Sequence, residues 1–195
     1  MPVPSPSRPR VVRPTRREQL VAAAALLFAD RGFHGVTVEE LGATVGISGP
    51  GFYKHFASKD AVLAEMLVGI SEHLLVQGQL EVAAASTSDD ALDRLLAFHT
   101  AFALSSPELI RVQDRDLANL SPSEAGRVRH LQRAYVELWV DVLIRRDPSL
   151  SREEAQTMVH AVFGLLNSTP HSAGAREGDV VGPILEQMAR RALGA

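Results

Sequence analysis

The 195-residue chain has no cysteine, which removes disulfides and thiolate metal sites and leaves it indifferent to redox compartment. Its N-terminus, MPVPSPSRPRVVRP, holds no apolar run of signal-peptide length. Residues 155–175 carry no formal charge, but Gln156, His160, Asn167, Ser168, Thr169 and Pro170 interrupt them, the pattern of a buried helix rather than a membrane span. The expectation is a soluble, cytoplasmic protein with no membrane partner. No stretch alternates apolar and polar residues as a half-buried strand does, so the expected class is all-α. With 46% hydrophobic and 22% charged residues, the chain can bury the core of one or two domains.

Catalytic patterns are also missing. Ser48 sits in Gly-Ile-Ser-Gly, which lacks the glycine spacing of a nucleophile elbow, and no strand precedes it. No glycine loop follows a strand to cradle phosphates. The seven histidines, His34, His55, His73, His99, His130, His160 and His171, include no i, i+4 pair for a helix-borne metal site. No catalytic residue, metal or cofactor is expected, and a helical enzyme ranks behind two binding functions.

What is present centres on residues 37–59, TVEELGATVGISGPGFYKHFASK. Thr37 and Glu40 form a capping box that starts a short helix, Val38, Leu41 and Val45 share one face, and Gly46 ends it in a left-handed turn. Ser48 caps a second helix that carries Phe52 and Phe56 inward at i, i+4. Two short helices across a glycine turn make a helix-turn-helix, whose second helix enters the DNA major groove; an ordinary pair of surface helices has the same signals. The outer face suits the first reading. Gly49 and Gly51 let the backbone approach a groove wall, and Tyr53, Lys54 and His55 offer donors to phosphates or base edges. Ser58 caps a third helix at Lys59, where free amides and an ammonium make a phosphate seat.

The run VAAAALLFADRGFHGVTVEELGATVGISGPGFYKHFASKDAVLAEML resembles the N-terminal domain of TetR-type transcriptional repressors. The likeness lies in the alanine-rich first helix ending Phe28-Ala29-Asp30-Arg31-Gly32-Phe33, the Thr37-Val38 opening, the Val45-Gly46-Ile47-Ser48 turn, the Phe52-Tyr53-Lys54-His55-Phe56 core and Ser58-Lys59. It covers residues 15 to about 70. The resemblance implies a ligand-responsive repressor that binds a palindromic double-stranded operator as a homodimer, with Thr37, Ser48, Gly49, Pro50, Gly51, Tyr53, Lys54, His55 and Lys59 at the DNA. Many relatives carry hydrogen-bonding side chains where this sequence has Gly49 and Gly51, so base readout here leans on few contacts. The alternative of another class is a helical protein that binds or sequesters a small molecule without operator specificity.

Charge is unevenly spread. Residues 1–60 hold eight Lys/Arg against five Asp/Glu, and the remainder is acidic enough to bring the chain to −3. A basic end on an acidic body fits a nucleic-acid-binding end attached to a regulatory part. Residues 1–14 form a basic arm not expected to fold alone, either a solvated tail or a DNA-contacting arm. Residues 15–60 are assigned to the helix-turn-helix domain, and residues 61–195 to a C-terminal ligand-binding and dimerisation bundle. A long helix is expected from Ser58 to near Gly78, and Ser106-Pro107, Ser121-Pro122-Ser123-Glu124 and Ser151-Arg152-Glu153-Glu154 each restart the chain, giving about nine helices in all.

Two further sites are expected in the bundle. Met158, Val159, Val162, Phe163, Leu165 and Leu166 cover more than one helix face, which calls either for a partner or for two internal contacts. In the resembling family the last two long helices form a four-helix dimer interface, implying Met158, Val162, Leu165 and Leu166 with Ile184, Leu185 and Met188. Phe98 with Phe102, Tyr135 with Trp139, and Phe163 with Asn167 are i, i+4 pairs that line either one pocket or a plain aromatic core. His99, His130 and Asn167 favour the pocket, because burying them unpaired is costly and a ligand's polar end would satisfy them. The run from Leu165 to Ser172 is similar to segments of TetR-like regulators of actinobacterial lipid and sterol breakdown, which implies a hydrophobic acid or its acyl-CoA thioester as effector.

Overall fold

The computed structural model describes residues 14–169 and 178–194. Nine α-helices and no strand occur among them: α1 Arg16–Arg31, α2 Val38–Thr44, α3 Gly49–Phe52, α4 Lys59–Ala84, α5 Ser88–Ser105, α6 Pro107–Asp116, α7 Pro122–Arg146, α8 Arg152–Leu166 and α9 Gly178–Ala192. A short 3-10 turn, Leu117–Asn119, joins α6 to α7. The basic arm and His171 lie outside the described residues, apart from Pro14.

Local chemistry fixes the helix starts. Complete capping boxes open α1 (Thr15 with Glu18), α2 (Thr37 with Glu40), α7 (Ser121 with Glu124) and α8 (Ser151 with Glu154). Thr87 and Ser58 cap α5 and α4 through their side-chain oxygens, and prolines occupy the first turn of α6 and α7. Gly32 after α1 and Gly46 after α2 have φ of 78° and 72°, which only glycine adopts without strain.

Two apolar cores form, and the packing does not follow chain order. The first joins Leu20, Ala24 and Phe28 of α1 to Leu41, Phe52 and Phe56, then to Val62, Leu63, Met66 and Leu67 of α4, and also takes in Val112 of α6 and Val128 of α7. The second contains Leu74 of α4, Leu92, Leu95 and Leu96 of α5, Trp139, Val140 and Leu143 of α7, and the inner faces of α8 and α9. Helices α4 and α7 therefore run through both. By length and composition α4 is apolar enough to cross a membrane, but half of that window is buried inside the fold.

Gly78 corrects one expectation. It lies inside α4, which continues to Ala84, and a Cβ there would fall 2.6 Å from Cε2 of Tyr135. Glycine at this point lets α7 lay an aromatic ring against the α4 backbone, which outweighs a helix-propensity penalty of about 1 kcal/mol.

Candidate nucleic-acid interface and effector cavity

The helix-turn-helix is α2, the turn around Gly46, and α3. Gly42 is buried, and a Cβ on it would meet the Ile47 carbonyl oxygen at 2.8 Å, so this glycine permits the turn that Gly46 completes. The Ile47 N–H donates back to the Gly42 carbonyl at 2.9 Å. α3 is shorter than expected, but turn bonds continue it: the Phe56 N–H donates to the Phe52 carbonyl at 3.1 Å. Both phenylalanines point inward, their ring centroids 6.0 Å apart. Tyr53 is 58% exposed, and Lys54 and Pro50 are exposed beside it.

Several expected DNA residues have internal work. The Thr37 hydroxyl closes the α2 capping box, and the Ser48 hydroxyl accepts from the Gly51 N–H at 3.3 Å. A Cβ at Gly51 would lie 3.3 Å from Ile47 Cβ, so that glycine packs closely on the turn; at Gly49 it would lie 3.5 Å from the Glu39 carboxylate. His55 is half-buried, and its carbonyl accepts from Arg17. Lys59 departs furthest from its expected role as a phosphate seat. Its Nζ donates to the carbonyls of Phe33 and Val36, at 2.7 Å each, and sits 4.3 Å from the Phe33 ring centroid. The ammonium thus pins the loop after α1 to the start of α4.

Arg16 and Arg17 are structural too. Arg16 donates to the Val45 carbonyl at the end of α2, while Arg17 pairs with Glu65 of α4 and stacks 4.0 Å over Phe56. Glu40 is held down to about 2, first by the Thr37 backbone N–H and then by Arg31, so it stays charged and ties the end of α1 to the start of α2.

In the second core, the His99 ring stacks on Phe163 at 4.8 Å with an interplanar angle of 3°, and on Tyr135 at 5.8 Å. Its Nε2 lies 3.1 Å from Asn167 Oδ1 and its Nδ1 lies 3.3 Å from the Tyr135 hydroxyl. One neutral tautomer satisfies all three groups: Nε2–H donates to Asn167, and Nδ1 accepts from Tyr135. These groups border a cavity of about 210 Å³ reached also by Ser71, Gln113, Gln132 and His160. The structure thus brings together His99, Tyr135, Phe163 and Asn167. Trp139 stands behind them, fully buried and edge-on to Phe163 at 5.1 Å, and Phe98 and Phe102 do not line the cavity. His130 is exposed and outside it. The polar lining missed by the aromatic pairs was readable as helical stripes: Gln132 precedes Tyr135 by three residues, and His160 precedes Phe163 by three.

Burial lowers His99 to about 4, against an ordinary 6.5, and raises the Tyr135 phenol. Between pH 6.5 and 4 the unfolded chain therefore binds a proton that folded His99 refuses, so stability rises with pH across that window and is flat above it with respect to this group. The expected loss on acidification through the window is on the order of 3 kcal/mol. Glu18, Glu40 and Glu154, whose folded values are lowered, lose their contribution only as pH falls below about 4.5. Urea unfolding between pH 7 and 5 should show the slope in the wild type and not in His99→Gln; equal slopes would reject the assignment.

The dimer expectation needs a partial correction. Val162 and Leu166 are fully buried and Leu185 nearly so, all three in the protein's own second core. Leu165 and Met158 are half-buried, whereas Val180, Ile184 and Met188 form an exposed stripe along α9, at 59%, 52% and 49%.

Residues 20–66 match the family model for bacterial regulatory proteins of the tetR family, and residues 85–171 match that for the tetracyclin repressor-like C-terminal domain. The chain belongs to the TetR family. Within this family it is 29% identical over 129 residues to the HTH-type transcriptional repressor KstR2 of Rhodococcus jostii, covering 66% of this chain and 63% of that protein. It thus spans just under two thirds of that relative. The solved structure of the ketosteroid transcriptional regulator KstR2 of Mycobacterium tuberculosis superposes with a TM-score of 0.79, covering 96% of this chain and 97% of that one. FadR from Bacillus subtilis in complex with stearoyl-CoA gives 0.69, covering 88% and 96%. At 20% and 13% identity, these two likenesses bear on the TetR-family fold alone.

Proposed function

We propose that the protein is a ligand-responsive transcriptional repressor that binds a palindromic operator as a dimer and lets go when a hydrophobic, lipid-derived acid or its acyl-CoA thioester enters the cavity. The observation that carries the reading is that the core under the helix-turn-helix and the cavity share three helices, α4, α6 and α7. α4 supplies Val62 and Leu63 to the first core and Ser71 to the cavity. α6 supplies Val112 to the first core, Gln113 to the cavity, and Arg115 to the carbonyls of Phe28 and Ala29 at the end of α1. A ligand that moves Gln113 or Ser71 acts on elements that set the recognition helix. Moving the population from 1:99 to 99:1 takes about 5.5 kcal/mol of differential affinity. KstR2 is named a repressor, and FadR was solved with stearoyl-CoA, which supports both halves of the reading.

The test is a mobility shift on upstream DNA fragments, in which one fragment should be retained and its half-sites should lie about 34 to 36 Å apart or a multiple of that. Exposed Lys54 supplies a sharper measurement. Lys54→Ala should weaken all DNA sequences alike and lower the log-log salt slope by about one. An unchanged slope removes Lys54 from the phosphates.

A further inference from the structure

We infer that the effector is a phosphate-bearing acyl conjugate of the coenzyme A type, not a free acid, with its acyl end in the cavity and its phosphates on Arg129 and Arg133. This deepens the reading of the cavity as the effector site and rests on it.

Among the described residues, none of those lining the inner cavity is Asp, Glu, Lys or Arg. A bare carboxylate placed there would lose much of its water and meet no described Lys or Arg, while several of the polar groups are already bonded to one another. At about 210 Å³ the cavity is also smaller than the roughly 300 to 1,000 Å³ of ordinary ligand pockets. Across Gln132, Val136 and His160, which border both spaces, lies a second hollow of about 280 Å³ between α7 and α8. Arg129 and Arg133 line that outer hollow.

These two arginines differ from their neighbours. Arg127 pairs with Glu72, Arg146 with Asp89, Arg152 with Glu137 and Asp141, and Arg190 with Asp93. Among the described residues neither Arg129 nor Arg133 has an ion-pair partner. Glu137, the one carboxylate among the described residues of the hollow, is already held by Arg152. Like charges four apart on a helix repel, so the pair is mildly unfavourable until an anion lies between them. Guanidinium groups present paired donors that match phosphate oxygens. A ligand filling both spaces is therefore elongated, neutral at its inner end and anionic at its outer end.

Calorimetry on the full chain should use octanoyl-CoA, benzoyl-CoA, the corresponding S-acyl pantetheines, octanoate, benzoate and lysophosphatidate. At least one CoA ester should bind more tightly than its pantetheine and free-acid counterparts. The double variant R129Q/R133Q should weaken that ester by about 10- to 100-fold, with no matching loss for the pantetheine ester. Equal affinity for ester and free acid, wild-type ester binding by the double variant, no binding of either CoA ester, or stronger binding of lysophosphatidate would each overturn the proposal. Operator shifts without ligand separate the two readings. Protein that shifts DNA but ignores CoA esters refutes this site and leaves the repressor; protein that binds the esters but shifts no DNA does the reverse.

Discussion

Phe52→Ala should destabilise the protein by roughly 3 to 5 kcal/mol and abolish operator binding, although Phe52 is not placed to touch DNA. The side chain is fully buried in the first core, with residues of α1, α2 and α4, and packs on Phe56. Its loss leaves a cavity under the recognition helix, because α3 is only four residues long and Phe52 is its one buried side chain. Phe56, which carries the Arg17 guanidinium, would lose the ring it packs on. The first core extends through α4 into α6 and α7, so the damage should appear in the main thermal transition, lowering Tm by about 10 °C. Lys54→Ala, in contrast, should melt like the wild type while binding DNA more weakly. Circular dichroism melting and a mobility shift on the same samples separate the two failures. A wild-type Tm for Phe52→Ala would mean that the first core is not what holds α3.

The difference between these variants also marks what the sequence could disclose. Caps, turns and inward aromatic pairs depend on neighbours three or four residues away, so Thr37 with Glu40, Gly46, and Phe52 with Phe56 were legible. Long side chains that reach across the fold were not. Lys59 reads as a cation at a helix start, yet it binds carbonyls 26 and 23 residues back. Gly78 reads as a helix end because its reason for being glycine, the Tyr135 ring, lies on another helix. In the cavity, pairs at i, i+4 found the helices but not always the inward residue: His99 faces the cavity, while Phe98 turns toward His73. Helix α8 is apolar on two sides, and periodicity alone does not say which side meets the protein's own core.

That last ambiguity yields the largest expected contrast. Leu166→Glu places a carboxylate in the second core, where Leu166 is fully buried among residues of α5, α7 and α9. The described residues of that core are apolar, and desolvation of an unpaired charge, or its forced protonation, should cost several kcal/mol. The bundle should unfold or become molten at neutral pH. Ile184→Glu with Met188→Glu changes residues that are about half exposed on α9, so the folded monomer should keep its helicity and nearly all its stability. If the proposed dimer forms through the stripe of Val180, Ile184 and Met188, a two-fold axis sets both new charges against an apolar patch of the partner, and association should fail. Operator affinity should fall with it, since each monomer presents one recognition helix. Sedimentation velocity at micromolar concentration, read beside circular dichroism, checks this: the wild type should sediment as a dimer and the α9 variant as a folded monomer. A wild-type monomer would overturn the dimer, an α9 variant that remains dimeric would move the interface away from this stripe, and a well-folded Leu166→Glu would place that side chain outside the core.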